Sequence, residues 1–431
     1  DSLKVNFNAT KNIAVIIHDS ITQPYWLKEP LQKGSFDVND QTLIGKPVND
    51  QLSIDFDVVI DGEKFVFSRP VQYKSNDPVK GELYQPLVVL PRLEVKYVDN
   101  NIVSVNSKAV PAHASITSNT SVKSELSIVQ QLPKDISTNN SNKTYSIDLN
   151  NPLTVNQVLQ PTANALNHKE QIAFMAIANN VNYDRYSKSI KYDHIPAITY
   201  FPKATANIVT ADIKIAGKRI GYIPGAGDKV AEAIQQMGYA LTVLQEKDIT
   251  DQNLKQFDAI VTGVRAYNVS SWLNGAYATL MSYVNNGGTL VVQYNTNNNN
   301  GPVKAKIFPY DFTISRNRVS EEDAQVKFLN PTDPLLNFPN KITAADFDGW
   351  VQERSIYSAE QLDPKFRSVL AMHDANEAEQ SGSLVAADYG KGKLIYTGLV
   401  FYRELPAGVP GAYRLFANLL SAGKNSSPKK N

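Results

Sequence analysis

Three short groups in the second half of the chain hold side chains suited to ligand chemistry: Arg265 with Tyr267, Tyr294 with Asn295, and Trp350 with Glu353 and Arg354. Asp228 adds a carboxylate at the end of the turn Pro224-Gly225-Ala226-Gly227-Asp228, and Arg316 and Arg318 add two more cations. Guanidinium forks bind carboxylate and phosphate in two-point contacts, so a rim of this kind suits an anionic or polyhydroxylated ligand. The plainer alternative is that these arginines pair with Glu321, Glu322, Asp346 and Asp348 and pin down an irregular stretch of chain.

A reacting group is harder to find. The chain has no cysteine, which excludes a thiolate nucleophile, thiolate metal sites and disulfides. It has neither a G-x-x-x-x-G-K-[ST] phosphate loop nor a G-x-S-x-G elbow. The five histidines (His18, His113, His168, His194, His373) are far apart, with none at i+3 or i+4 from another. A metal centre would have to be assembled from distant segments. His373-Asp374 with Glu377 has some ligand character, and a solvated loop is the competing reading. The glycines Gly225 and Gly227 sit where a dinucleotide fingerprint would, but Val230 replaces its third glycine. We assign no catalytic residue and no metal ligand. Tyr25-Trp26 and Tyr84 suggest sugar stacking, against the alternative that such rings anchor a small core.

Glycine usage shows where the elements that position these residues must change. Residues 1–216 contain four glycines (Gly34, Gly45, Gly62, Gly81) and residues 217–431 contain eighteen. Repeated strand-to-helix junctions demand glycine, which places a boundary near Gly217. The glycine-poor part reads as short alternating strands at 52–60, 64–68, 93–98, 102–105, 125–129 and 145–149, separated by Asn, Asp, Ser and Pro. That pattern predicts two β-sandwiches of immunoglobulin-like size, over 1–90 and 91–214, with the seam in the proline-bounded run 86–91.

Beyond the boundary, strands at 219–223, 240–244, 258–263, 289–294, 383–387 and 393–397 alternate with helical stripes. Val230, Ala233, Ile234 and Met237 form one stripe, with Asp228 as the expected cap. Leu273, Ala276, Tyr277, Leu280 and Val284 form a second, and Ala412, Leu415, Phe416, Leu419 and Leu420 a third. The expectation over 217–422 is a parallel, doubly wound, flavodoxin-like α/β domain, followed by a disordered tail at 423–431. In such sheets ligands sit beyond the carboxyl ends of the strands. The candidate ligand set there is Asp228, Arg265, Tyr267, Tyr294, Asn295, Trp350, Glu353 and Arg354.

Composition narrows the class. With 43 basic and 42 acidic residues and a net charge of +1, the chain lacks the basic excess of a nucleic-acid protein. No run of 18 apolar residues occurs, so no membrane span is expected. The chain starts at Asp1 without a Met or a leader, and a processed or excised piece with an upstream domain missing is expected.

Several strings carry a resemblance: Gly221-Tyr-Ile-Pro-Gly-Ala-Gly-Asp228, Phe257-Asp-Ala-Ile-Val-Thr-Gly-Val-Arg-Ala-Tyr-Asn268, Gly287-Gly-Thr-Leu-Val-Val-Gln-Tyr-Asn-Thr296, Asp346-Phe-Asp-Gly-Trp-Val-Gln-Glu-Arg354 and Leu405-Pro-Ala-Gly-Val-Pro-Gly-Ala-Tyr-Arg-Leu-Phe416. Together they resemble the C-terminal region of large LmbE-like (PIG-L family) deacetylase proteins of Bacteroidetes. Pro24-Tyr-Trp-Leu-Lys-Glu-Pro30 and Asp77-Pro-Val-Lys-Gly-Glu-Leu-Tyr84 resemble their middle region. The resemblance implies an exported protein, periplasmic or at the cell surface, whose separate N-terminal domain removes acetyl groups from N-acetylglucosamine-type sugars with zinc. That domain's A-H-P-D-D-like loop and H-x-x-H are absent here, so no cofactor is implied for this chain.

The last domain is also similar to class I glutamine amidotransferases and the ThuA-like group. Their elbow nucleophile would fall after 289–292, where this chain has Gln293-Tyr294-Asn295. Amides and a phenol without a base are poor nucleophiles. The expected role is a non-catalytic accessory region that binds or positions glycan, with carbohydrate and the chain's own catalytic domain as partners. The alternatives are a small sugar or sugar-acid enzyme site in the α/β cleft, or a structural, protein-docking module.

Overall fold

The computed structural model describes residues 10, 12–14, 21–31, 34–46, 52–139, 143–162, 167–297 and 302–425. Two hairpins come first: β1 (Ser53–Ile60) with β2 (Glu63–Pro70), and β3 (Gln72–Asp77) with β4 (Gly81–Pro86). The first turns through Asp61-Gly62, both at positive φ (50° and 87°), which the twist of a two-residue hairpin loop requires. Its register sets Phe56 opposite Phe67 and Val58 opposite Phe65, and the three phenylalanines are exposed. Of the sandwich expected over 1–90, the described residues form only these two-stranded ribbons. The alternation that suggested two packed faces is present, and among the described residues no second sheet covers it.

The second sandwich closes. One sheet runs in the order β10 (Thr144–Ile147), β8 (Ser124–Gln131), β12 (His168–Ala178), β16 (Thr205–Ala211) and β6 (Asn101–Val105), with β13 (Val181–Tyr183) also on β12. The other runs β5 (Leu93–Tyr97), β7 (Val110–Ser118), β11 (Leu153–Pro161) and β9 (Ile136–Thr138). Every second residue points inward: Ala112, Ala114 and Ile116 from one sheet meet Ile172, Phe174 and Ala176 from the other. Tyr97 sets its ring edge-to-face on Phe174, with centroids 5.7 Å apart. A separate hairpin, β14 (Lys188–Tyr192) with β15 (Ile195–Tyr200), leaves this body before β16.

After Gly217 the chain builds one seven-stranded sheet. Its parallel part is ordered β18 (Ala240–Val243), β17 (Arg219–Ile223), β19 (Ala259–Thr262), β20 (Thr289–Gln293) and β22 (Gly392–Thr397). The side chains sort cleanly. Ile220, Val261, Val291 and Ile395 face α1 (Val230–Gln236), α6 (Phe401–Ala407) and α7 (Pro410–Ser421). Ile223, Ile260, Leu290 and Tyr396 face α2 (Asp251–Leu254) and α4 (Leu273–Asn285). The sheet is therefore covered by helices on both sides.

One expectation needs correction, because the sheet is not parallel throughout. β21 (Leu384–Tyr389) runs antiparallel to β22, and Arg367–Ser368 pairs antiparallel outside it. Only Gly390 and Lys391 join β21 to β22, and a two-residue connection can make a hairpin but never a crossover. The long excursion between β20 and β21 is stapled by two-residue strands and by the short helix α5 (Pro334–Asn337). The expected tail at 423–431 lies outside the described residues from 426 on, after a last helical turn at Ala422–Lys424. Among the described residues no helix is long and apolar enough to cross a membrane.

The two larger bodies share a core. Val103, Val209, Ala211 and Ile213 from the sandwich side belong to the same buried cluster as α1, α6 and α7. Lys169 Nζ donates to Ala407 O at 2.6 Å. The Cβ-free face of Gly408 fits against Val209 and Asn101.

Candidate active site at the sheet edge

β17 lies between β18 and β19, so the winding reverses there and a ligand crevice would open between the tips of β17 and β19. The two following loops touch instead. Ala226 N donates to Val264 O at 2.8 Å, and a Cβ on Gly225 would stand 2.1 Å from that same oxygen. Gly263 faces the contact from the other side, where a Cβ would meet Tyr222 Oη at 2.5 Å. Asp228 bolts the closure. Its Oδ1 accepts from Tyr222 Oη (2.5 Å) and Val230 N (3.0 Å), and its Oδ2 accepts from Val264 N (2.9 Å). Burial and the adjoining carboxylate push the Tyr222 phenol well above its ordinary range, so it stays a donor. Asp228 was read as the cap of α1 and does take its first N–H, but its remaining capacity is spent on closing the crevice.

At the tip of β20, Asn295 is fully buried. Its Oδ1 accepts from Tyr267 N at 2.9 Å and its Nδ2 donates to Gln293 O at 3.0 Å. Asn268 repeats the device, with Nδ2 to Thr296 O and Thr296 N to Oδ1, both at 2.9 Å. These two amides knit the loop after β19 to the loop after β20. Sequence reasoning singled out Asn295 but missed Asn268, whose partner lies 28 residues away.

Side chains that do gather at this edge are aromatic and cationic. Tyr294 stacks on Tyr357 (centroids 5.6 Å apart, planes 8° apart) and leans on Tyr402 (5.3 Å). Burial holds the Tyr294 and Tyr402 phenols above their usual range, so neither supplies a base. Arg265 opens the turn α3 (Ala266–Val269) in a left-handed conformation (φ 59°). Its backbone N donates to Tyr294 O at 2.8 Å, while its buried Nε has no partner among the described residues. Gln352 (φ 70°) and Tyr357 (φ 54°) hold the same strained backbone region. Strain of this kind costs about 1–3 kcal/mol per residue and tends to collect at binding sites. Tyr357 and Tyr402 escaped the sequence reading because the one lies in the irregular excursion and the other follows β22, where no helix was expected.

The third group divides. Glu353 is buried between two guanidiniums, accepting from Arg318 Nη2 (2.7 Å) and Arg403 Nε (3.0 Å). Arg354 is buried too, donating to Ala324 O and Phe347 O and lying over the rings of Phe347 and Trp350. Burial lowers its pKa from the ordinary arginine value. Trp350 is 3% exposed and packs on Phe347 and Phe401, with its Nε1 donating to Asp346 O at 3.0 Å. Tyr267 is 1% exposed in the opposite core. Trp350 and Tyr267 are core side chains rather than rim residues, since their rings satisfy the apolar stripes on either sheet face. The expected arginine pairing occurs with different partners: Glu353 for Arg318, and Asp346 for Arg414 at 2.7 Å.

The edge therefore gathers a guanidinium and a packed tyrosine cluster, with Asp228 and Glu353 already engaged. Asp374 is likewise taken up by Ser320 and Glu321 backbone and hydroxyl donors. Among the described residues no three His, Cys, Asp or Glu side chains group closely enough to hold a metal ion.

No protein-family model matches the chain, and no curated protein matches it. Two solved structures show distant likeness. One is native α2-macroglobulin from Escherichia coli, from domain MG7 to the C-terminus (8% identity, 27% of this chain, 16% of that chain, TM-score 0.18). The other is a family 123 glycoside hydrolase from Clostridium perfringens that hydrolyses glycolipid glycan (8% identity, 46% of this chain, 48% of that chain, TM-score 0.19). The chain spans less than half the length of either, and likeness this slight transfers neither fold nor function.

Proposed function

We propose that this chain is the non-catalytic accessory region of an exported sugar N-deacetylase of LmbE-like (PIG-L) type, serving to hold or position glycan. On this reading its last domain is a flavodoxin-like scaffold of the glutamine amidotransferase or ThuA-like kind that has lost its nucleophile. The zinc chemistry belongs to a separate catalytic domain, and the protein works in the periplasm or at the cell surface.

One observation carries the reading. Where an elbow nucleophile would stand, Asn295 is buried and both ends of its amide are bonded to backbone. The strand order, with β17 between β18 and β19, supports the scaffold assignment, and the strings quoted above support the family. Asp228, Glu353 and Asp374 are each occupied by two or more donors, which supports a scaffold role for these three carboxylates.

The test is acetate release from N-acetylglucosamine oligomers by the purified chain, with and without added zinc. The expected result is no turnover above the buffer rate in either condition. Zinc-stimulated turnover would overturn the proposal.

A further inference from the structure

A cleft of about 650 Å³ lies on the sandwich, between residues 27–31 with Phe36 and the strands around Tyr200, well within the size range of small-ligand sites. Its outer wall is firmly built. Buried Gln23 accepts from Phe201 N at 3.2 Å, and Val89 N donates to the Thr22 hydroxyl at 3.0 Å. The turn Tyr25–Leu27 then closes with Leu27 N donating to Pro24 O at 3.0 Å.

The lining combines three chemistries. Tyr186 and Tyr200 supply ring faces, Gln171 and Asn207 supply amides, and Arg185 and Lys203 supply cations. Arg185 is fixed by its Nη1 donating to Phe201 O at 2.8 Å, and its Nε stands 3.7 Å from Asp184 Oδ1, so Lys203 carries more of the free positive charge. Lys203 is exposed and has no ion-pair partner among the described residues. Lys96 stands 5.3 Å from the Tyr186 ring centroid and Lys188 6.0 Å from that of Tyr200, which adds to the positive potential. The only carboxylate in the lining is Glu29.

We infer that this cleft binds a short acidic oligosaccharide, a sugar chain bearing carboxylates. The apolar faces of its rings pack on Tyr186 and Tyr200, its hydroxyls meet Gln171 and the Asn207 amide oxygen (the Asn207 nitrogen being bonded to Asn101), and its carboxylate meets Lys203 beside Arg185. Rings alternating with amides suit a ligand that is apolar on its faces and hydroxylated on its edges, and the cation excess selects the charged member of that class. The site goes beyond the accessory reading, since none of its lining residues belongs to the strand tips of the α/β sheet and it needs no deacetylase partner.

The experiment is calorimetric titration of the full chain with a uronic acid trisaccharide, its carboxyl-reduced neutral counterpart, and a single-stranded oligonucleotide. The acidic sugar is expected to bind at least about tenfold more tightly than the neutral one, equivalent to about 1.4 kcal/mol. Lys203→Gln should weaken the acidic sugar by about three- to tenfold and leave the neutral sugar unchanged. Tyr200→Leu should weaken both sugars, with its fold checked by thermal unfolding. If the wild-type chain binds sugar and both variants bind it equally well, the cleft assignment fails while the accessory reading stands. Equal affinity for the two sugars, or preference for the oligonucleotide, overturns the ligand class. No binding of either trisaccharide overturns the cleft assignment, while the accessory reading is judged separately by the acetate-release assay.

Discussion

Glu404 on α6 is fully buried, and among the described residues its two oxygens accept from Val351 N, at 3.0 and 3.3 Å. Burial pushes its carboxyl up to about 8, against the smaller opposing pulls of the Val351 N–H and of Arg354 and Arg403. In the unfolded chain the same group titrates near 4.5. Between those two pH values the folded chain holds a proton that the unfolded chain has released. The sign follows directly: the contribution is complete below pH 4.5, declines as pH rises, and levels off above about 8. The slope is about 1.4 kcal/mol per pH unit, giving on the order of 5 kcal/mol across the window.

Glu404→Gln replaces the protonated carboxyl with a neutral group of the same shape that can still accept from Val351 N. Urea unfolding at pH 5, 7 and 8.5 should therefore find variant and wild type within about 1 kcal/mol at the lowest pH. The variant should be more stable by about 3 kcal/mol or more at the highest, where only the wild type must ionise a buried acid or hold its proton against solution. Parallel profiles for the two proteins would refute the reasoning. They would mean that the carboxylate is ionised throughout, with Arg354 as its counter-charge.

Two further outcomes follow from the sheet edge. Asp228→Ala strands the Tyr222 hydroxyl and the Val230 and Val264 amides, at about 1–3 kcal/mol for each donor left unmet. A fall of several kcal/mol in urea stability is expected, and a change under about 0.5 kcal/mol would show that the crevice is closed by something else. Arg265→Gly relieves a left-handed arginine and should raise urea stability by about 1 kcal/mol, and an unchanged or lower stability would show that the backbone there is not strained.

How much of this could be read from the residues depends on the range of the interaction. Periodicity found α4 and α7, and near-continuous apolar runs found β19 and β20, because burial on both faces leaves a local trace. β17 starts at Arg219, just past the glycine-rich boundary. α6 was missed because Pro406 sits inside it and breaks the helical signal. The antiparallel β21–β22 pair was legible in the spacing and was overlooked; five residues between two strands leave no space for a crossover helix. Residues of the edge were visible as types but their roles were not. Trp350 reads as a rim aromatic until Phe347 and Phe401 close over it, and the strain at Arg265, Gln352 and Tyr357 leaves no mark in composition. The hairpins at 53–86 show the converse, where alternation was present and the expected partner sheet was not found among the described residues.

The cluster that joins Val103, Val209 and Ile213 to the inner faces of α6 and α7 makes the sandwich and the α/β sheet a single mechanical body. Severing the chain at Gly217 would leave each half with a bare greasy wall, so the glycine boundary marks a change of architecture without being a place to cut. A sugar gripped in the sandwich cleft would then be presented at one fixed bearing to whatever the far sheet edge holds, as two jaws of one tool share a frame.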